Sequence, residues 1–76
     1  MNDTRRKKLS VVSGLLDRAI DIIDSVSEEE QDSLDNMPEN FQDTERSEKM
    51  ENAIALLESA VDQIEDAKEN LRSAME

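Results

Sequence analysis

The chain has 76 residues, and its 20 acidic against 9 basic side chains give a formal net charge of −11. It contains no histidine, cysteine, tryptophan or tyrosine, so disulfides, thiolate metal sites and histidine-based catalysis are excluded. No stretch approaches the roughly 20 apolar residues that a membrane-spanning helix requires. The composition predicts a single domain over residues 1–76 that acts by binding, without a cofactor or a bound metal.

The first predicted element is a helix over about residues 4–36, because apolar residues recur at alternating three- and four-residue steps. The two heptad positions of this seam hold Leu9, Leu16 and Ile23, and Val12, Ala19 and Val26. Further apolar residues flank the seam on both sides, so the apolar face is wider than one partner helix covers. The face expected to meet a second copy or a partner protein comprises Leu15, Leu16, Ile20, Ile22, Ile23 and Val26.

The start of this helix is similar to a signal peptide, since four basic residues at positions 5–8 precede an apolar run. Asp17 and Arg18 interrupt that run, and its apolar residues belong to the helical stripe. The sequence therefore predicts a cytoplasmic protein.

A joint is predicted at residues 37–43. Pro38 cannot continue a helix and disfavours helical geometry in the residue before it, so the first helix should end near Asn36. Asp43 or Thr44 can accept hydrogen bonds from the free amides that open the second helix. The chain is expected to reverse here, and the one aromatic side chain, that of Phe41, to close the end of the hairpin with Met37.

The second predicted helix covers about residues 44–75. One heptad position holds Met50, Leu57, Ile64 and Leu71. A second line at an unbroken seven-residue interval, called the alanine line below, consists of Ala53, Ala60, Ala67 and Ala74. Alanine is the best helix former, but four alanines in strict register favour a tight antiparallel helix pair, either within the chain or across a dimer. The predicted fold is all-α: an antiparallel, coiled-coil-like two-helix hairpin that dimerises into a four-helix bundle.

The joint carries a resemblance. Residues 36–45 read Asn-Met-Pro-Glu-Asn-Phe-Gln-Asp-Thr-Glu, which resembles an N-[LM]-P-E-x-x-Q-x-[ST]-E turn in small acidic helical hairpins of phages, prophages and bacteria. The resemblance covers roughly residues 28–56. It implies a hairpin of phage or bacterial origin; no settled activity belongs to that group, and no active-site residue carries over.

Acidic residues on the first helix recur at three- and four-residue steps and therefore share one face. This acidic line consists of Asp17, Asp21, Asp24, Glu28, Asp32 and Asp35. Carboxylates every 5 Å or so along a rod approach the spacing of nucleic-acid phosphates, about 3.4 Å along each strand. The sharper interpretation is a nucleic-acid mimic, and the plainer one is a solvated face that keeps the protein soluble.

The basic residues at positions 5–8 are expected to lie beside the last turn of the second helix, near Glu69 and Glu76, and to neutralise that acidic end. In a dimer with antiparallel first helices they would instead lie opposite residues 28–30. Direct nucleic-acid binding is disfavoured, because the net charge repels phosphate and no aromatic residues are interleaved for base stacking.

The function predicted from these features is non-catalytic: an acidic protein that blocks a basic nucleic-acid-handling enzyme, as a phage or prophage inhibitor of bacterial defence. The expected partners are that enzyme and a second copy of the chain, with no membrane. The alternative is a structural or adaptor module that binds a partner protein through its apolar face, the acids serving only for solubility.

Overall fold

Two long helices form the protein in a computed structural model that describes residues 1–41 and 44–76. Helix α1 runs Asp3–Asp35, a 3-10 turn runs Glu39–Phe41, and helix α2 runs Glu45–Ala74. The molecule measures 59 × 15 × 12 Å, which is the shape of two rods side by side. The all-α helical hairpin predicted from the sequence is confirmed, with each helix boundary within one residue of its expected place.

Local side-chain hydrogen bonds fix the helix ends. The side-chain oxygen Oδ1 of Asn2 accepts a hydrogen bond of 2.9 Å from the main-chain amide of Arg5, which caps the start of α1. At its other end the Asn36 side-chain amide donates to the Asp32 carbonyl at 2.9 Å, two residues before Pro38. Thr44 caps α2 by accepting from the Ser47 amide at 3.4 Å, so of the two expected capping residues Thr44 does so.

The helices meet along a seam that follows a strict alternation of three- and four-residue steps. The partly buried residues of α1 on this seam are Arg6, Leu9, Ser13, Leu16, Ile20, Ile23, Ser27, Glu30 and Leu34. Those of α2, together with the two buried side chains Ser47 and Ile54, are Met50, Leu57, Val61, Ile64, Lys68, Leu71 and Met75. This seam is the internal core of the hairpin.

One half of the predicted seam needs correction. Leu9, Leu16 and Ile23 do face α2, but Val12 and Val26 are exposed, and the second seam position of α1 is one residue further along the chain. Both helices are turned in this sense. On α1, Ile20 and Leu34 turn inward together with Ser13 and Ser27, which take the places of the two valines. On α2, the larger Ile54, Val61 and Met75 turn inward in place of alanines. Larger aliphatic side chains remove more apolar surface from water, which favours this rotation.

The same rotation places the alanine line at the edge of the seam. Ala53 and Ala60 are half-buried, whereas Ala67 and Ala74 are exposed. A tight pairing of all four alanines within the hairpin is therefore not what the structure has, and their pairing across a dimer stays a prediction. The expectation for the Phe41 side chain lies outside the described residues, as does capping by Asp43.

Candidate binding faces

The acidic line of α1 lies along one side of the seam. Successive residues of an α-helix are about 100° apart, so the line is centred about 100° from the middle of the seam. All six of its carboxylate residues are exposed. The structure therefore brings the predicted acidic residues together on one flank of α1.

Helix α2 extends this acidic surface. In an antiparallel pair, α2 runs opposite to α1 and also contacts it from the opposite side, and these two reversals cancel. Residues that directly follow a seam residue therefore lie on the same face of the hairpin on both helices. The exposed acids of α2 on that face are Glu48, Glu51, Glu58, Asp62, Glu65 and Glu69. Together with the acidic line of α1 they form what we call the acidic face, two lines of carboxylates along the two helices.

Two residues of the acidic line have partners within the hairpin. Asp17 forms an ion pair with Lys68, whose side chain is 24% exposed and belongs to the seam. Asp35 accepts a hydrogen bond of 2.9 Å from the side-chain amide of Gln31. Asp17 thus belongs to the edge of the hairpin core, and it is less free to meet a partner than Asp21 or Asp24.

The basic start of α1 meets the last turn of α2, although through a different contact from the one predicted. The Arg6 Nε donates a hydrogen bond of 2.8 Å to the Met75 carbonyl, and its Nη1 lies 3.0 Å from Asp3. Arg6 thus satisfies a free carbonyl at the negative end of the α2 dipole. Glu69 pairs instead with Arg72.

The opposite flank of α1 carries apolar residues that α2 does not cover. Leu15 is 60% exposed and Ile22 is 58% exposed, and both lie about 120° from the middle of the seam on the side away from the acidic line. The full stripe, exposed except at the half-buried Ala19, consists of Val12, Leu15, Ala19, Ile22 and Val26. By contrast, Leu16, Ile20 and Ile23, which were predicted to share this face, belong to the internal seam.

Helix α2 adds the alanine line and Leu56, which is 63% exposed, to the same side of the hairpin. The heptad position of Leu56 also holds the exposed polar residues Lys49, Gln63 and Asn70. We call this surface, with the stripe of α1, the apolar face. The hairpin consequently has two chemically distinct broad sides, one acidic and one apolar, with the seam between them.

A hollow of about 520 Å³ lies at the joint end of the hairpin. Its described lining residues are Ser33, Met37, Pro38, Thr44, Arg46 and Met50. None of them is a carboxylate, so the acids of the two helices do not point into this hollow as an acid–base pair. Among residues 1–41 and 44–76 no cluster of three or more acidic side chains has the geometry to hold a metal ion.

Some contacts were not expected from the sequence. Ser47 is the most buried side chain of the described residues at 1% exposed, and its Oγ donates to the Thr44 carbonyl at 2.8 Å. The sequence did hold a signal for this burial, because Ser47 lies seven residues before Ile54 and so occupies the same heptad position. The participation of Arg6 and Lys68 in the seam was likewise missed, because long charged side chains bury their stems while the charge reaches solvent or a partner.

Comparison with protein-family models, with curated proteins and with solved structures returned no match for this chain. Neither of the described helices combines the length and the apolar character that crossing a bilayer demands.

Proposed function

We propose that this protein is a non-catalytic acidic binding protein that occupies the nucleic-acid site of a basic enzyme. The observation that carries the proposal is the acidic face, on which exposed carboxylates of both helices are separated from the apolar residues. Solubility alone does not require the carboxylates to lie on one side, because charges spread evenly around the helices would serve it equally well. From the resemblance of the turn, we further propose a phage or prophage inhibitor of bacterial defence that works in the host cytoplasm.

The dimensions of the acidic face support this proposal. Carboxylates follow each helix at intervals of about 5 Å, and helices in contact lie about 8–10 Å apart. The separation of the two acidic lines falls between the widths of the minor and major grooves of DNA, about 6 and 12 Å. A positively charged groove would therefore meet two rows of negative charge, as it does on a duplex, and attraction at a distance would speed association.

Capture followed by competition tests this function. The tagged protein is incubated with a nuclease-treated bacterial lysate at about 0.1 M salt, and bound proteins are eluted towards about 0.5 M as salt screens the contact. Each captured enzyme is then purified and tested for release of a labelled DNA duplex when the protein is added. We expect one basic nucleic-acid enzyme that releases its duplex.

Charge-matched variants make the test specific to the acidic face. Asp21→Asn, Asp24→Asn and Glu28→Gln are combined in one variant, which should weaken capture and competition by tenfold or more. Its control neutralises Glu39 in the joint and Glu45 and Asp66 on the outer side of α2, which lie off that face and change the net charge by the same amount. Equal loss in both variants, or simultaneous binding of the duplex and the protein, would contradict the proposal.

The adaptor function remains the second candidate because of one observation, the exposure of Leu15 and Ile22. An adaptor would retain its partner at about 0.5 M salt, where charge–charge contacts are screened within about 4–5 Å. It would lose that partner when Leu15 and Ile22 are replaced by Gln, and keep it in the acidic-face variant.

A further inference from the structure

We propose that a second copy of the chain covers the apolar face, with the α1 helices of the two copies antiparallel across a two-fold axis near Ala19. The first reason is the thin core of the isolated hairpin. Among residues 1–40 and 44–76, Ile54 at 8% exposed is the one buried apolar side chain. Ser13, Ser27 and Lys68 interrupt the seam, so much of the apolar surface of the chain is left for another contact.

The second reason is that the apolar face is internally symmetric. On α1 the exposed stripe from Val12 to Val26 has its midpoint at Ala19. On α2 the alanine line has its midpoint between residues 63 and 64. Arg6 contacts Met75 and Asp17 contacts Lys68, so the two residues of each pair lie level with each other along the hairpin. Because the helices are antiparallel, each step forward on α1 matches a step back on α2, and these two contacts put residue 19 level with about residue 64.

The two midpoints therefore lie at the same height along the hairpin. A single two-fold axis at this level, perpendicular to the helices, therefore packs the α1 stripe against the α1 stripe of the second copy. The same axis packs the alanine line against the alanine line of the second copy. The larger side chains of α1 hold those helices further apart than the alanines hold α2, and both separations fall within the usual range of helix packing, about 8–10 Å.

The third reason is charge complementarity along α1. The exposed stripe continues at the same three- and four-residue steps to Arg5 and Lys8 at one end and to Glu29 at the other, with Glu30 beside it. In an antiparallel pair centred at Ala19, the basic end of each α1 lies against the acidic end of its copy. A parallel pair would instead place like charges together.

The size of the face is adequate for a stable dimer. The alanine line spans about 30 Å and two packed helices are about 20 Å wide, so the face covers about 600 Å² on each copy. A pair would bury about 1,200 Å², the lower end of the range for specific interfaces. The acidic faces of both copies point outward in this arrangement, so the dimer does not rest on the proposed function and would present two copies of that surface.

Sedimentation equilibrium measures the predicted association. We expect a species of twice 8.6 kDa for the full chain. Replacing Leu15 and Ile22 by Gln should raise the dissociation constant at least tenfold while circular dichroism still shows a helical hairpin, because neither residue is in the seam. The control places Gln at Ser25 and Ala55, exposed positions off the apolar face, and should remain dimeric.

A charge exchange tests the antiparallel orientation. One variant carries Arg5→Glu and Lys8→Glu, and the other carries Glu29→Lys and Ser33→Lys, both at exposed positions outside the seam. Each alone should dimerise at least tenfold more weakly, since like charges meet at both ends, and an equimolar mixture should restore association as a heterodimer. Unchanged association of both variants would overturn the antiparallel pairing.

A single cysteine locates the two-fold axis. The chain has no cysteine, so Ala19→Cys introduces a unique thiol at the proposed centre. It should give a crosslinked dimer with a short bismaleimide, whereas Ala55→Cys, on the far side of the hairpin, should not. A species of single-chain mass at every concentration from about 1 to 100 µM, or equal crosslinking of both variants, would overturn the proposal; in the first case a foreign protein becomes the occupant of the face.

Discussion

Arg6 and Met75 join the two ends of the chain: the guanidinium Nε donates a hydrogen bond of 2.8 Å to the main-chain carbonyl across 69 positions of sequence. This contact fixes the start of α1 against the end of α2 and neutralises a free carbonyl there. The contact therefore sets the register of the two helices at the open end of the hairpin, which otherwise has few long-range contacts.

Replacing Arg6 by Gln should therefore lower the free energy of unfolding by about 0.5–1 kcal/mol, a modest value because the Arg6 side chain is 39% exposed. Thermal denaturation by circular dichroism should show a decrease of about 4–8 °C for each kcal/mol lost. Lys7→Gln removes the same charge from an exposed neighbouring position and serves as the control. Equal losses in the two variants would mean that net charge alone, and not the contact with Met75, stabilises this end.

Gly14 occupies an exposed, outward position of α1, and a Cβ placed there would meet nothing within 4 Å. Gly14→Ala should raise the free energy of unfolding by about 0.5–1 kcal/mol, since alanine loses less backbone entropy in a helix. Urea denaturation measures the change. A destabilised variant would contradict the open, exposed setting of Gly14.

The acidic line should reduce the stability of α1. Replacing Asp21, Asp24 and Glu28 with their amides removes four of five successive like-charge contacts, worth about 0.2–0.5 kcal/mol each. The variant should be more stable than the parent by about 1–2 kcal/mol in low salt, measured by urea denaturation, with a smaller difference at about 1 M salt because the charges are screened. A gain in stability together with a loss of partner binding would assign the acids to function; a salt-independent difference would contradict the repulsion.

Ile54 and Leu56 are two residues apart on α2 but differ sharply in burial, at 8% and 63% exposed. Ile54→Ala should lower the free energy of unfolding by about 2–3 kcal/mol, because it opens a cavity in the seam. Leu56→Ala should change it by less than about 0.5 kcal/mol in dilute solution. Both are measured by urea denaturation at several protein concentrations, and a cost for Leu56→Ala that grows with concentration would indicate that the apolar face is covered by a second copy.

Much of the fold could be predicted from the sequence because its determinants are local. Pro38 and the capping residue Thr44 limit the helices, and the three- and four-residue steps of apolar residues specify two helices of similar length. The carboxylates of the acidic line share a face of α1 for the same reason, whatever α1 packs against. These features depend on the geometry of one helix and needed no knowledge of its neighbour.

The rotation of each helix about its own axis could not be read from the sequence, because α1 carries two adjacent apolar stripes that would each make a seam. Packing against α2 decides between them: Ile20 and Leu34 turn inward, and Leu15 and Ile22 remain exposed. Once that choice is made, the antiparallel pairing brings the acids of both helices to one side and the alanine line to the other. The sequence by itself determined the hairpin and the acidic line, and the tertiary structure alone decided which apolar stripe became the core, since that choice depends on how much surface two facing helices can bury together.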